Sequence, residues 1–384
     1  MECQKHLFNL GDDVCYLNGA YMSPLLKSVE EAGIEGILMK RDPSKFQVEH
    51  FFEPQIHLKT KFSQLIGSNE PERIAIIPSV SYGLANVTNN LKAKAGQKII
   101  IAGEQFPSNY YPWKKVADEK DLILSIITPS ASDTTRGEKW NDMLEEAIDS
   151  DTVAVSLSHV HWADGSLFDL KRVREKLNRV GGILVVDGTQ SIGALPFNQS
   201  EIEADAIICA GYKWLMGPYS IGLAYMGPYF DKGKPVEESW INRIKSDDFA
   251  NLSEYQHEYR SKAKRYDIGE SSNFILIPMM KAAIEQLLNW DPFQYQAYCK
   301  RITEPTIQNL RSKGFWIDEL PYRASHLFGI RFSKKMDMKF VKRVMDEKKI
   351  KVSIRGNAIR VSPGVYNTQE DLQKLADVLI GEFT

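Results

Sequence analysis

An aspartate and a lysine close two neighbouring apolar runs in this chain. Ile183-Leu-Val-Val leads straight into Asp187. Ala206-Ile-Ile-Cys-Ala210 leads through Gly211 and Tyr212 to Lys213, with Trp214 behind it and a Gly217-Pro218 break beyond. A third run, Ile221-Gly-Leu-Ala-Tyr225, follows at once. Each has strand length, is rich in β-branched or small apolar residues, and is bounded by Gly, Pro or polar clusters. Strands of that composition belong inside a sheet, so both charges come to its rim. Buried charge is costly unless it is paired or bound to something, and rims of open α/β sheets are where ligands bind. A lysine amine beside a carboxylate suits pyridoxal phosphate (PLP). Its aldehyde condenses with the amine, and its ring nitrogen needs an acidic partner to act as an electron sink. Alone, Lys213 would read as a solvated surface lysine and Asp187 as a turn acid in an Asp-Gly pair. Their company carries the assignment.

The elements that position this pair follow from the rhythm of the chain. Helical spacing covers about Pro24 to Lys40 and Glu53 to Gly67. Then apolar runs of strand length, starting at Arg73, Lys98, Leu122, Thr152 and Ile183, alternate with helical patterns at Tyr82–Ala93, Asn109–Lys120, Trp140–Asp149 and Asp169–Val180. That alternation predicts a parallel sheet covered on both faces. It stops after about Met226. Residues 231–264 read as a long polar connection, followed by helices at Pro278–Asn289 and Pro292–Ser312. Strands at Leu327–Arg331 and Ile359–Val361 then flank a helix at Met338–Lys348, and a last helix spans Thr368–Glu382. The expectation is an α/β protein with a large domain over residues 16–264 and a smaller α+β domain made of 1–15 and 265–384.

At 384 residues, 43% hydrophobic and 26% charged, the composition is that of a globular chain with a sizeable core. A net charge of −2 without a Lys/Arg run argues against nucleic acid or an acidic membrane surface as a partner. The four cysteines are far apart, which points to reduced thiols and a cytoplasmic location rather than a disulfide framework. The N-terminus lacks the apolar core of a signal peptide, and no run reaches the ~18 apolar residues of a membrane span. His159 and His161 share one face of an extended strand, but no further ligand cluster accompanies them, so no metal is expected. GxGxxG, Walker and GxSxG patterns are absent, leaving nucleotide and serine-hydrolase readings without a motif.

Asp187-Gly-Thr-Gln190, followed one strand later by Gly211-Tyr-Lys213-x-x-x-Gly-Pro218, resembles the class V aminotransferase family of PLP enzymes, which includes cysteine desulfurases, kynureninase and isopenicillin N epimerase. The resemblance covers nearly the whole chain. Tyr16-Leu-Asn-Gly-Ala20 is similar to the family's entry motif, Ser79-Val-Ser-Tyr-Gly83 to its phosphate loop, and Arg360-Val-Ser with Tyr366-Asn-Thr to its C-terminal signature. It implies PLP-dependent transferase fold type I and a homodimer with shared active sites acting on a small amino acid.

Roles follow position by position. Val80 and Ser81, at a helix N-terminus, would bind the cofactor phosphate through backbone N–H groups, with the Tyr212 hydroxyl beside them. Phe106 would stack on the pyridine ring, as the Phe-Pro of kynureninase does. Trp162 would lie near the ring hydroxyl, Gln190 near that hydroxyl or Lys213, and Thr189 against the ring face. Asp187 would pair with the ring nitrogen. Arg360 matches the arginine that holds the substrate α-carboxylate, with Asn18 and Arg355 helping to line that pocket. Arg265 to Ser272 resembles the segment that reaches the partner subunit's phosphate. The usual Thr after Gly269 is Glu270 here, which shifts that contact to Ser271, Ser272 or the backbone.

The reaction stays open at this level among aminotransfer, β-elimination and epimerisation. In each, Lys213 is first the cofactor's amine partner and then the base at Cα. One departure narrows the field. Cysteine desulfurases carry a nucleophilic cysteine shortly before the C-terminal arginine, and Leu320 to Arg360 contains none. Aminotransfer is the expected activity, with a β-lyase (kynureninase-like, or desulfurase-like without a catalytic cysteine) or an epimerase as alternatives. A PLP-binding regulator would append a basic DNA-binding module, which this chain does not show.

Overall fold

The computed structural model describes residues 1–130 and 135–383. Strand β1 (Cys15–Tyr16) and helices α1 (Lys27–Met39) and α2 (Glu49–Leu65) come first. The alternating region comprises β2 (Ile74–Ile77), α3 (Val80–Asn89), β3 (Lys98–Ala102), α4 (Tyr111–Glu119), β4 (Ile123–Ile127) and α5 (Arg136–Glu146). It continues through β5 (Thr152–Ser158), α6 (Leu170–Val180), β6 (Ile183–Asp187), the single turn α7 (Gln199–Ile202), β7 (Ala206–Ala210) and β8 (Gly222–Met226). Beyond an irregular stretch lie α8 (Leu276–Trp290), α9 (Pro292–Ser312), β9 (Phe328–Arg331), α10 (Met338–Glu347), β10 (Ile350–Lys351), β11 (Ser353–Arg355), β12 (Ala358–Val361) and α11 (Gln369–Phe383).

The central sheet has the order β2-β8-β7-β6-β5-β3-β4. Strands β4, β3, β5, β6 and β7 run parallel, and β8 is antiparallel to both β7 and β2. Two reversals return β2 to the common direction. The C-terminal ends of β2, β3, β5, β6 and β7 therefore share one rim.

Strand alternation divides the core into two layers. Ile76, Ile100, Leu157, Val186, Ile207 and Leu223 pack on one face with α2, α6 and α8 residues such as Leu58, Leu177 and Ile284. Ile77, Ile101, Ala154, Val185, Ile208 and Ala224 pack on the other with Leu84 and Val87 of α3 and Trp113 of α4. Consecutive residues point to opposite faces, and strands buried on both sides read as unbroken apolar runs. This is the mixed α/β, mostly parallel architecture expected from the alternation.

A smaller antiparallel sheet, β11-β12-β9, stands near the C-terminus, and β1 pairs in parallel with β10. Strand β11 was not expected, because Ser353-Ile-Arg355 is too short and polar to stand out. Several helix starts also differ, among them α5, which opens at Arg136 rather than Trp140. Leu26 is extended and bridges Phe8, so α1 opens at Lys27 rather than Pro24. Helix α2 opens at Glu49 rather than Glu53, where Phe46 and Phe51 pack on Phe274 with ring centroids 4.5 and 5.2 Å apart.

Candidate active site

A cavity of about 390 Å³ opens at the common rim, within the ~300–1,000 Å³ typical of small-molecule sites. Each strand end contributes. β2 hands over to Ser79, Val80 and Ser81, β3 to Gln105 and Phe106, and β5 ends at Ser158 and continues to Trp162. β6 ends at Asp187, ahead of Thr189 and Gln190, and β7 leads to Tyr212 and Lys213. The approach to β8 adds Tyr219 and Ser220.

Alternation also decides which side chains enter. Asp187 lies in step with Ile183 and Val185 on the α3 face, and the register places Ser158 beside it. Cys209 and His159 belong to the opposite face. The Cys209 side chain packs in the other layer, and the His159 ring stacks edge-on against Phe197 at 5.6 Å. His161 instead faces Asp164 at 2.9 Å and the Glu104 carbonyl at 3.1 Å. The two histidines thus point to separate partners.

Lys213 and Asp187 are both buried. Burial pulls the Lys213 amine down to about 8, opposed by Asp187 and reinforced by Arg360 and Arg355. Burial pushes the Asp187 carboxyl above its ordinary range, countered by Thr189, whose backbone N–H donates to Oδ1 at 3.0 Å, and by Lys213. An acid in that state gains from a cation placed against it. The Lys213 Nζ lies 5.2 Å from the Phe106 ring centroid and 5.6 Å from that of Tyr212. Phe106 meets Trp162 edge to face at 5.4 Å, and Trp162 Nε1 donates to the Glu104 carbonyl at 2.7 Å. Thr189 Oγ1 accepts from the Ala210 N–H at 3.1 Å. Gln190 is held on both sides of its amide, donating to the Ala20 carbonyl and accepting from Trp214 Nε1.

The residues present fit PLP. Ser79 caps α3 by accepting from the Tyr82 N–H at 3.2 Å, which leaves the Val80 and Ser81 N–H groups at the helix start without intrahelical partners. That end suits a phosphate. The Ser158 hydroxyl is buried in the cavity wall with no hydrogen-bond partner among the described residues. An amine, a buried acid and an aromatic ring complete the set that this cofactor requires.

Other expected residues lie around this cavity rather than in its lining. Arg360 is buried, its Nη1 donating to the Trp162 carbonyl at 2.8 Å and its Nη2 to Ser353 Oγ at 3.3 Å. Asn18 accepts from that same serine hydroxyl at 2.8 Å, so it orients Ser353 and through it Arg360. Arg355 stands over Trp162, 5.3 Å from the ring centroid. Glu270 and Ser271 are outside this chain's own cavity. Glu270 holds a left-handed φ of 58°, the Gly269 N–H donates to Glu237, and the Ser271 hydroxyl is buried with no hydrogen-bond partner among the described residues. The sequence reading missed Gln105, Ser108, Ser158, Tyr219 and Ser220. Only the Gly-Pro break before Tyr219 offered a signal; the rest depend on register.

The fold and this lysine–acid pair define a PLP-dependent enzyme of fold type I. The Aminotransferase class-V family profile matches residues 50–375, and the chain belongs to that family. A relative from Bacillus subtilis (strain 168), named uncharacterized aminotransferase YcbU, is 27% identical over 321 residues, 83% of this chain and 81% of that protein. Among solved structures, a C-DES variant with glycine covalently linked to its PLP cofactor superposes with a TM-score of 0.85 at 19% identity, covering 98% of this chain and 99% of that one. The apo cysteine desulfurase of Thermococcus onnurineus NA1 superposes with a TM-score of 0.82 at 20% identity, covering 99% and 98%.

Proposed function

We propose that the chain is a PLP-dependent aminotransferase acting at the Cα of an amino acid. One observation carries the reading: Lys213 is the single amine among the described residues that line the cavity. When bound, PLP supplies the aldehyde that takes up an amino group and the ring that draws off the electron pair left at Cα. The chain supplies the rest. Arg360 grips the substrate carboxylate and sets the Cα–H bond toward Lys213. Lys213 Nζ, freed by the substrate amine, would remove the Cα proton and pass it on the same face to the carbon that carried the cofactor's aldehyde, so that water can then release a keto acid. Asp187 would keep the cofactor's ring nitrogen protonated. Epimerisation calls for a second base on the far face. Tyr212, which lines the cavity, is pushed upward by burial and so stays a donor.

The hairpin β11–β12 further separates this chain from a persulfide-forming desulfurase. Only Gly356 and Asn357 join its strands, ahead of Arg360, and they leave no loop on which a thiol could approach. The relative named as an aminotransferase, matched over most of both chains, supports the same reading.

We also propose a homodimer in which Glu270 and Ser271 approach the partner's cofactor phosphate, and the division into domains 16–264 and 1–15 with 265–384 belongs to this reading. Exposed apolar residues along α1, namely Ile34, Ile37, Leu38 and Met39, support a covered surface there. Four free cysteines support a cytoplasmic location.

The test is chemical. Protein loaded with PLP is reduced with borohydride and digested, and the label is located. Single amino acids are then added to unreduced protein and products identified. A label on Lys213, and a keto acid appearing with aminated cofactor, bear the proposal out. An unlabelled Lys213 removes the PLP assignment. Pyruvate and ammonia with unchanged cofactor would make the enzyme a β-lyase instead.

A further inference from the structure

A second cation stands beside Arg360. The register Ser353–Arg360 and Arg355–Ala358 places all four side chains on one face of the β11–β12 hairpin. Ile354 and Ile359 take the opposite face, with Ile359 in the core. Ala358, across from Arg355, is too short to fill the space next to that guanidinium. The shared face looks onto Trp162. Its carbonyl receives Arg360, and its ring underlies Arg355. Both arginines act electrostatically on Lys213, so both stand within range of the reacting amine.

Neither arginine has a carboxylate partner among the described residues. Arg355 Nη1 donates to the Ile354 carbonyl at 2.8 Å, Arg360 donates to the Trp162 carbonyl and Ser353, and the Nε of each is buried without a partner. Buried arginines elsewhere in this chain are treated differently. Arg136 and Arg331 share Asp164, Arg323 pairs with Glu304, and Arg73 with Glu70 and Asp231. Arg355 and Arg360 also oppose each other: after burial, Arg355 is the main influence driving Arg360 downward. Tyr21 is the group that favours the charged form of Arg355, and Tyr16 that of Arg360. Arg360 is buried and Arg355 half-buried, and cations so placed are stabilised when anions reach them. One α-carboxylate neutralises one of the two.

We propose, resting on the reading of Arg360 as the α-carboxylate partner, that Arg355 receives a second anionic group, making the site selective for amino acids with an acidic side chain. A guanidinium takes a carboxylate through two parallel N–H bonds, and the Trp162 face below fixes the plane of that fork. The short Gly356-Asn357 turn holds the direction of Arg355.

The experiment titrates PLP-loaded protein at fixed ionic strength with L-aspartate and L-glutamate, and with their near-isosteric amides L-asparagine and L-glutamine. Binding is followed by the visible spectrum, in the wild type and in R355L. In the wild type each acid binds roughly ten- to a hundred-fold more tightly than its amide, the size of one charge-assisted contact. In R355L that ratio falls to near one. Equal affinities for acid and amide in the wild type, a comparison that needs no variant, overturn the proposal. So does an acid-to-amide ratio unchanged in R355L, or a loss that is equal for acids and amides, which would make Arg355 a second holder of the α-carboxylate. Borohydride labelling of Lys213 in the same preparation separates the two levels. If the lysine is unlabelled, the parent reading fails and this inference with it. If it is labelled and the ratio is one, only the acidic-side-chain selectivity fails.

Discussion

At the scale of single residues, the behaviour of Lys213 and Asp187 follows from burial. The Lys213 amine is protonated below about 8 and cannot then attack an aldehyde. The rate at which cofactor-free protein captures PLP therefore rises as pH climbs through about 8 and flattens above it; an ordinary lysine would still be gaining near ~10.4. Stopped-flow absorbance across that range decides, and a profile rising only above 10 would show that the amine is not desolvated as described. K213A should take no borohydride label and form no keto acid. D187N removes a buried charge while keeping its shape. The cofactor-free variant should melt at a higher temperature than wild type while turnover falls roughly ten- to a hundred-fold, and unchanged turnover would mean that Asp187 does not face the ring nitrogen. Both residues were legible in the sequence because a charge at the end of an apolar run has few explanations. Ser158 was not, since its place beside Asp187 arises from pairing between β5 and β6, and nothing in a single strand records its neighbour.

At the scale of elements, helix α3 forms the end of the cavity where the proposed phosphate contact lies, by packing close against the sheet. Gly83 allows that approach. A Cβ there would come within 2.8 Å of Ile208 Cγ2 and 2.9 Å of Ile77 Cδ1. G83A should push the helix outward, cost about 1–3 kcal/mol in denaturant unfolding, and speed the loss of PLP on dialysis; retention equal to wild type would show that the helix start does not hold the phosphate. The alternating strands and helices were legible because doubly covered strands are continuous apolar runs. Several helix starts were not. Leu26 and Phe46 take their conformations from Phe8 and Phe274, which are remote in sequence. The hairpin β11–β12 escaped for a similar reason: its strands are defined by each other and by β9, and Arg355 acquires meaning only on the face that it shares with Arg360.

At the scale of the whole molecule, Asp164 joins the two sheets. It lies beyond β5 and receives Arg136 of α5 at 3.2 Å, Arg331 of β9 at 2.8 Å and His161 at 2.9 Å, and against the opposing effect of burial these partners hold its carboxyl well below the ordinary range. D164A would strand the buried Arg331 guanidinium and leave Arg136 with Glu104 as its carboxylate partner, with an expected loss of about 3–5 kcal/mol in urea unfolding. Because β9 pairs with β12, the Arg360 strand should loosen too, raising KM for the amino acid more than it lowers kcat. A lower kcat at unchanged KM would separate this network from substrate binding. The order of the central sheet carries a further consequence, for biogenesis. Among the described strands, β2, which leads into the Ser79–Ser81 turn, pairs with β8 alone, with Ile74 opposite Tyr225, while Ile76 also bonds Asp267 and Ile268. Local strand pairs can zip up early, but this contact must wait for a long loop to close. On the ribosome, β2 cannot take its place in the sheet until β8 has emerged, and Arg355 and Arg360 follow only near the end of synthesis. Cofactor capture is thus a timer for the last stage of folding, and a chain stalled before β8 would leave its lysine with no phosphate anchor beside it.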